Sequence, residues 1–273
     1  MKRRTFTVVL ALLFVLIFIG IFGTFQILGS GGALTELWVS DTARDAIGNH
    51  HAPTATKIGN ETVVIAPVNA PQKVGDCALV TFNLALEEQW RATVQSDACN
   101  IHAFGDPTVA DLDGDGNNQV FVATTEEVVH TYDLETGQEQ FSRDLAGWGY
   151  AAPIITDFTP SEGRELIVAD LSGGVFVFDS TGSPLWSRNF SSTVAPIFVE
   201  DFDADGADEL AVGEGRNVTV VERDGTTATQ TAVGGSVTWM TTGEADDDDA
   251  IEIVAATING RVVAVDGQTG EIE

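Results

Sequence analysis

The chain repeats itself, and the repeat constrains the fold more than any other feature of the sequence. Four acidic stretches each run into a short apolar stretch, followed by a second apolar run and a tight turn. The residues that close the acidic stretches lie 46, 44 and 43 residues apart: Gln119, Glu165, Glu209 and Glu252. A more divergent copy precedes these four, so that five copies cover about 49–95, 105–146, 151–190, 194–233 and 236–273.

The period and the content of the copies predict the fold class. Each copy holds four short apolar runs joined by tight turns, and no helical periodicity follows the N-terminal segment. Four strands per repeat of this length is typical of a β-propeller blade. We therefore predict an all-β protein, a β-propeller of four-stranded blades with five repeats. Residues 34–40 could supply the outer strand that the fifth copy lacks and so close the ring; the alternative is a fragment of a larger propeller.

The N-terminal segment predicts a membrane anchor. Basic residues at positions 2–4 precede an apolar stretch from Phe6 to Phe25, and about 20 apolar residues are needed to cross a bilayer. The basic tip should stay in the cytoplasm. We predict a basic tip and one transmembrane signal-anchor helix at 1–28, a tether at 29–48 and the propeller repeats at 49–273, outside the cytoplasm at the cell membrane. A cleaved signal peptide remains the alternative.

Two kinds of motif agree with an extracytoplasmic location. Cys77 and Cys99 are the only cysteines, and an even pair in an oxidising compartment predicts a disulfide, with two separate buried thiols as the alternative. Glycosylation sequons begin at Asn60, Asn189 and Asn217.

The charge of the chain is strongly acidic and unevenly distributed. With 41 acidic against 13 basic residues, the net charge is −28, which disfavours nucleic acid as a partner. Many carboxylates with only three lysines are typical of proteins from extreme halophiles, the alternative being an ordinary acidic secreted protein. Four nine-residue windows that end at the closing residues hold 17 of the 41 acidic residues. Much of the charge therefore lies at one recurring loop.

Two of these loops have the pattern of a calcium site. Carboxylates at alternate positions followed by glycine can converge on one hard cation, and an oxygen at the ninth position can complete the cage. The predicted ligands of structural Ca²⁺ are Asp111, Asp113, Asp115 and Gln119 in one loop and Asp201, Asp203, Asp205 and Glu209 in the other. Two further loops are degenerate versions, with Asp157 and Glu165 in one and Asp246 and Asp248 in the other. The alternative is that all four are solvated acidic turns.

Two families of repeat carry these motifs. The D-x-D-x-D-G loops preceded by a Pro-x-Val/Ile run resemble FG-GAP (integrin-α-like) propeller repeats. The Val-x-Val-Asp-x-x-Thr-Gly ends, followed by Trp or Phe, resemble repeats of pyrroloquinoline-quinone-type propellers. The resemblance covers about residues 50–273 and implies a propeller with calcium-type loops.

The motifs lead to two functional expectations. No nucleophile elbow, phosphate-binding loop or zinc site occurs, so we expect a non-catalytic, membrane-tethered module that binds or scaffolds a surface protein or a glycan, without an organic cofactor. An envelope assembly factor is a variant of this hypothesis. The alternative is a quinoprotein-like dehydrogenase that binds pyrroloquinoline quinone and Ca²⁺ on the propeller axis, although no vicinal cysteine pair is present.

Overall fold

The described part of the chain is built from β-strands. The computed structural model describes residues 46–47, 52–69, 77–94, 103–161, 163–190, 197–245 and 248–273. These residues belong to a unit that spans Thr42–Glu273, and a separate unit spans Met1–Asp41. The predicted anchor at 1–28, most of the tether and the segment at 34–40 lie outside the described residues. Within the described ranges, no helix has the length and apolar character needed to span a bilayer.

Twenty strands in the described ranges form five antiparallel sheets that follow one another along the chain. Sheet 1 contains β1 (Ala46–Ile47), β2 (Thr54–Ile58), β3 (Glu61–Asn69), β4 (Cys77–Asn83) and β5 (Glu88–Val94). Sheet 2 contains β6 (Thr108–Ala110), β7 (Gln119–Ala123), β8 (Val128–Asp133) and β9 (Glu139–Asp144). Sheet 3 contains β10 (Ile154–Thr156), β11 (Glu165–Ala169), β12 (Gly174–Phe178) and β13 (Pro184–Asn189).

The last two sheets continue this order. Sheet 4 contains β14 (Phe198–Glu200), β15 (Glu209–Glu214), β16 (Asn217–Val221) and β17 (Thr227–Ala232). Sheet 5 contains β18 (Val237–Gly243), β19 (Glu252–Thr257) and β20 (Val262–Val265). In sheets 2 to 5 each strand pairs with the next along the chain, and in sheet 1 β1 and β2 share one edge of β3. The all-β class and the five repeats are confirmed.

The number of strands departs from four at both ends of the series. Sheet 1 has five because β1 lies before the expected start of the first repeat and pairs with the far end of β3. Sheet 5 has three in the described ranges, and an isolated bridge between Val265 and Ile272 stands where a fourth strand would pair.

The two faces of each middle sheet pack against different neighbours. On β7, Val120 and Val122 lie in an apolar cluster with sheet 1, whereas Phe121 and Ala123 lie in a cluster with sheet 3. Similar clusters join sheet 3 to sheet 4 and sheet 4 to sheet 5. This explains why the second strand of these repeats is apolar at consecutive positions, since neither face meets water. The outer strands β9, β13 and β17 alternate between exposed and half-buried residues.

Consecutive sheets also make a second kind of contact. A side chain of the outer strand of one sheet donates a hydrogen bond to the turn that precedes the outer-strand position of the next sheet. The Trp90 indole of sheet 1 donates a hydrogen bond from Nε1 to the Leu134 carbonyl of sheet 2 at 2.8 Å. The Trp186 indole of sheet 3 donates in the same way to the Arg223 carbonyl of sheet 4 at 2.8 Å. Between sheets 4 and 5 the Thr231 hydroxyl donates to the Gly270 carbonyl at 2.6 Å. The aromatic and Thr-Gly motifs of the sequence therefore mark contacts between sheets.

Candidate cation-binding loops

The acidic loops connect the first strand to the second in sheets 2, 3, 4 and 5. In each, the closing residue is the first residue of the second strand, and its side chain is buried. Each closing side chain accepts a hydrogen bond from the backbone N–H of the second loop residue: Gln119 from Leu112, Glu165 from Phe158, Glu209 from Phe202 and Glu252 from Ala245. Sheet 1 has instead a short turn between β2 and β3. The period found in the sequence thus marks a buried polar side chain at the base of each loop.

The loop of sheet 2 brings three of its predicted ligands together. Asp111, Asp113 and Asp115 each place a carboxylate oxygen within 4.8 Å of the other two. The Asp111 carboxylate also accepts hydrogen bonds from the Gly114 and Gly116 N–H groups at 2.8 and 2.9 Å. Both glycines have positive φ, which is why the turn needs glycine there. Three converging carboxylates are the donor set that a calcium ion takes.

The side chains of Asn117 and Gln119 form hydrogen bonds within this loop. Hydrogen bonds from the backbone and side chain of Asn117 lower the pKa of Asp115, which favours the charged form that a cation needs. The predicted fourth ligand, Gln119, uses its amide oxygen to accept the N–H of Leu112 at 2.8 Å, and its Nε2 donates to the Asn117 carbonyl at 3.0 Å. Gln119 therefore supports the loop through hydrogen bonds.

The loop of sheet 4 forms a group of different composition. Asp201, Asp203 and Glu209 place their carboxylate oxygens within 4.8 Å of one another. The predicted ligand Asp205 lies outside this group, and its carboxylate accepts the Ala207 N–H at 2.8 Å. Burial, with Asp203, Glu222 and Asp205 nearby, raises the pKa of Glu209 to about 7, against the effect of the Phe202 N–H. A proton or a cation therefore stabilises this buried group.

The loop of sheet 3 satisfies its closing carboxylate with protein donors. Glu165 accepts the N–H groups of Phe158 and Thr159 on one oxygen, at 2.8 and 3.1 Å. Its other oxygen accepts the hydroxyls of Thr159 and Ser161, at 2.6 and 2.7 Å. These hydroxyls stand where the loops of sheets 2 and 4 have aspartates. Among the described residues, Asp157 and Glu165 do not belong to a group of three acidic ligands.

The loop of sheet 5 contains a group that the sequence pattern only partly revealed. Glu244, Asp248 and Glu252 place their oxygens within 4.8 Å of one another, whereas the predicted Asp246 lies outside the described residues. Glu252 was not among the predicted ligands, although the 43-residue spacing from Glu209 could have identified it. Its Oε1 is buried and finds no hydrogen-bond partner in the described part of the chain.

The remaining predicted residues take ordinary places on the sheets. Cys77, the first residue of β4, is disulfide-bonded, and Cys99 lies outside the described residues. At the sequons, Asn60 and Asn189 are exposed, whereas Asn217 is half-buried and its Thr219 is buried. The first two asparagines are therefore the accessible ones.

A polar pocket of about 380 Å³ lies between the acidic loops of sheets 3 and 4. Its lining is mostly polar, with two carboxylates, two hydroxyls and one guanidinium beside a proline and a glycine: Asp157, Thr159, Pro160, Ser161, Gly206, Asp208 and Arg223. The Nε of Arg223 is buried without a hydrogen-bond partner, and none of the ion pairs of the described residues involves Arg223. Arg223 lines the pocket, and a guanidinium there is suited to a ligand that carries acceptor oxygens.

Comparison with known proteins adds information on the fold. No protein-family model matches the chain, and no curated protein resembles it at a significant level. The biofilm matrix protein Bap1 of V. cholerae is similar in structure, with a TM-score of 0.61, 16% identity and coverage of 84% of this chain and 38% of that chain. The exotype rhamnogalacturonan lyase YesX has a TM-score of 0.61 and 16% identity, over 84% of this chain and 48% of that one.

A rhamnogalacturonan lyase of Bacillus licheniformis, PL11, is similar to the same degree. Its TM-score is 0.61 at 14% identity, and the match covers 84% of this chain and 50% of that chain. This chain thus spans half or less of the length of these proteins. Similarity at such low identity indicates a shared fold.

Proposed function

We propose that the five sheets are blades of a β-propeller whose acidic loops bind structural Ca²⁺. The order of packing supports this, because each sheet contacts the next through an apolar cluster and, in the pairs described above, through the turn before its outer strand. The proposal of cation binding is supported by the donor sets of the loops, since three carboxylates converge in the loop of sheet 2 and three in the loop of sheet 4. The resemblance to FG-GAP repeats agrees with both.

The protein then acts as a non-catalytic binding or scaffolding module at the cell surface, tethered by the N-terminal apolar segment. Its most suitable ligand is a glycan, and the observation that carries this choice is the polar pocket between the loops of sheets 3 and 4. The carboxylates of Asp157 and Asp208 can accept hydrogen bonds from sugar hydroxyls, and Arg223 can donate to ring, hydroxyl or carboxylate oxygens. Bound cations would fix the loop that supplies Asp208.

Binding of oligosaccharides tests this function. The full chain, purified in detergent with Ca²⁺, is applied to an array of neutral and acidic oligosaccharides, and hits are measured by calorimetry. Arg223→Gln should weaken binding tenfold or more. Arg91→Gln is the matched control, because Arg91 pairs with Glu88 on exposed parts of sheet 1. Equal glycan affinity of the two variants would show that the pocket beside Arg223 is not the glycan-binding site.

Two other results would contradict the non-catalytic role. Release of new sugar ends from a bound polysaccharide would show a lyase or hydrolase. Reduction of a dye after incubation with pyrroloquinoline quinone and Ca²⁺ would show a dehydrogenase. If no glycan is retained, crosslinking in intact cells that captures one surface protein would make that protein, rather than a sugar, the partner.

A further inference from the structure

The closing side chains at the base of the four loops face the same physical problem, because each is a polar group buried at the end of a strand. Sheet 2 uses Gln119, which carries no charge. Sheet 3 surrounds the carboxylate of Glu165 with four protein donors. In sheet 4, the carboxyl of Glu209 has a pKa near neutrality, so a proton can neutralise it. Each of these three sheets therefore limits the cost of burial in its own way.

Glu252 in sheet 5 has a different environment. It is 0% exposed, and only one of its oxygens, Oε2, accepts a hydrogen bond from a described residue, the N–H of Ala245. Its Oε1 has no hydrogen-bond partner among these residues. No Lys, Arg or His of the described ranges forms an ion pair with it. A buried carboxylate oxygen without a donor is costly, and a bound cation or a proton would offset that cost.

Two further carboxylates face Glu252 from outside the acidic loop. The register of β19 on β20 pairs Ile253 with Val265, which brings Glu252 next to Asp266 at the end of the sheet. Oxygens of Glu252, Asp266 and Glu273 lie within 4.8 Å of one another. Asp266 is itself 5% exposed, and it accepts the N–H and the hydroxyl of Thr269 on the same oxygen, Oδ1. Two buried carboxylates thus lie side by side.

We propose that Glu252, Asp266 and Glu273 form a divalent-cation site in sheet 5, outside the acidic loop. The donor set consists of carboxylate oxygens, which Ca²⁺ and Mg²⁺ prefer. Oxygens that share one Ca²⁺ at about 2.3–2.6 Å lie at most about 5 Å apart. One oxygen of each of these three residues lies within 4.8 Å of the other two, which is close enough to share an ion. The ion would supply the partner that Oε1 of Glu252 lacks.

The site has a structural consequence for the last sheet. Sheet 5 is one strand short in the described ranges, and its final segment touches β20 through the Val265–Ile272 bridge and a hydrogen bond from the Glu273 N–H to the Ala264 carbonyl at 3.2 Å. A cation shared by Glu252, Asp266 and Glu273 would fix this segment to the ends of β19 and β20. The inference does not depend on the proposed function and would hold if the loops of sheets 2 and 4 bound no metal.

The test is the number of calcium ions bound per chain, measured by equilibrium dialysis of the full chain against Ca²⁺ after chelation, at constant ionic strength. Because Glu252 also belongs to the loop group with Glu244 and Asp248, the variants alter only the new site: Asp266→Asn and Glu273→Gln. Asp179→Asn is the matched control, since Asp179 forms the corresponding turn with Thr181 in sheet 3. Each site variant should bind one ion fewer than the wild type, and the control should bind the same number.

A loop variant separates this site from the proposed function. Asp113→Asn combined with Asp203→Asn should lose the loop ions and keep the ion of sheet 5. If Glu273→Gln, which alters an exposed side chain, binds as many ions as the wild type, the proposal is overturned. It is also overturned if the loop variant binds no calcium at all. Should Asp266→Asn fail to fold, Glu273→Gln alone decides.

Discussion

Replacing Gly137 with alanine tests whether the turn of one sheet is held against the outer strand of the preceding one. Gly137 has φ +69°, and an added Cβ would lie 2.5 Å from Cδ2 of the Trp90 indole. The left-handed backbone costs a residue with a Cβ about 1–2 kcal/mol. Overpacking against a fixed side chain adds about 1–3 kcal/mol. Trp90 cannot move away freely, because its Nε1 is bonded to the Leu134 carbonyl. We therefore expect a loss of about 2–5 kcal/mol.

The matched control is Gly59→Ala in the turn of sheet 1. Gly59 has φ +59°, and an added Cβ would meet no atom of the described residues within 4 Å. Its loss should be confined to the backbone cost of about 1–2 kcal/mol. Both variants are compared with the wild type by urea unfolding of the full chain in detergent, followed by tryptophan fluorescence and circular dichroism. Equal losses for the two variants would refute the contact between sheets 1 and 2 as a source of stability.

The loops and the contacts between sheets lead to three further predictions. Thr159→Val combined with Ser161→Ala removes two donors from Glu165, so the free energy of unfolding should fall by about 1–3 kcal/mol, and an undiminished urea midpoint would contradict this. In cation-free buffer, the contribution of Glu209 to stability should be complete below its ordinary pKa of 4.5 and should be lost as the pH rises towards 7, because the folded carboxyl binds its proton more tightly. Glu209→Gln should abolish that part of the pH dependence of the melting temperature; an unchanged profile would show that another group causes it. Trp186→Phe removes the hydrogen bond to the Arg223 carbonyl and should cost about 1 kcal/mol in the same urea assay, whereas no loss would mean that the bond contributes nothing.

The repeat made the fold largely predictable from the sequence. Strand positions follow from the apolar runs, and the spacing of the closing residues places the second strand of four sheets. The strand number of the end sheets was not predictable, because it depends on pairing of short segments with little pattern. Ala46–Ile47 pairs with β3 over two residues, and Ile272 pairs with Val265 as a single bridge.

The site was predictable where the ligands are charged and regularly spaced. The pattern identified Asp111, Asp113 and Asp115 as a group, and the structure brings them together. It did not distinguish Asp205, which lies outside the group of sheet 4, from Asp203, which belongs to it, although the carboxylate of each accepts the backbone N–H two residues further on. That choice depends on local backbone geometry.

The residues of sheet 5 show a different limit of sequence pattern. Asp266 lies in a Thr-Gly turn that resembles the turns of other repeats, so its spacing suggests only a turn. The proximity of Asp266 to Glu252 depends on the register of β19 and β20. The inference of a cation site depends on the lack of a hydrogen-bond donor to Oε1 of Glu252 among the described residues. Burial and missing donors become visible only in three dimensions.

The thermal stability of the full chain with and without divalent cations tests the central claim most directly. Melting temperatures are measured in Ca²⁺ and in excess chelator at the same high ionic strength, for the wild type and for Asp203→Ala. The account predicts that chelation lowers the melting temperature of the wild type and that Asp203→Ala loses much of this sensitivity, because Asp203 belongs to the loop group of sheet 4. A wild-type melting temperature that chelator leaves unchanged would show that the loops are solvated acidic turns and would contradict the account.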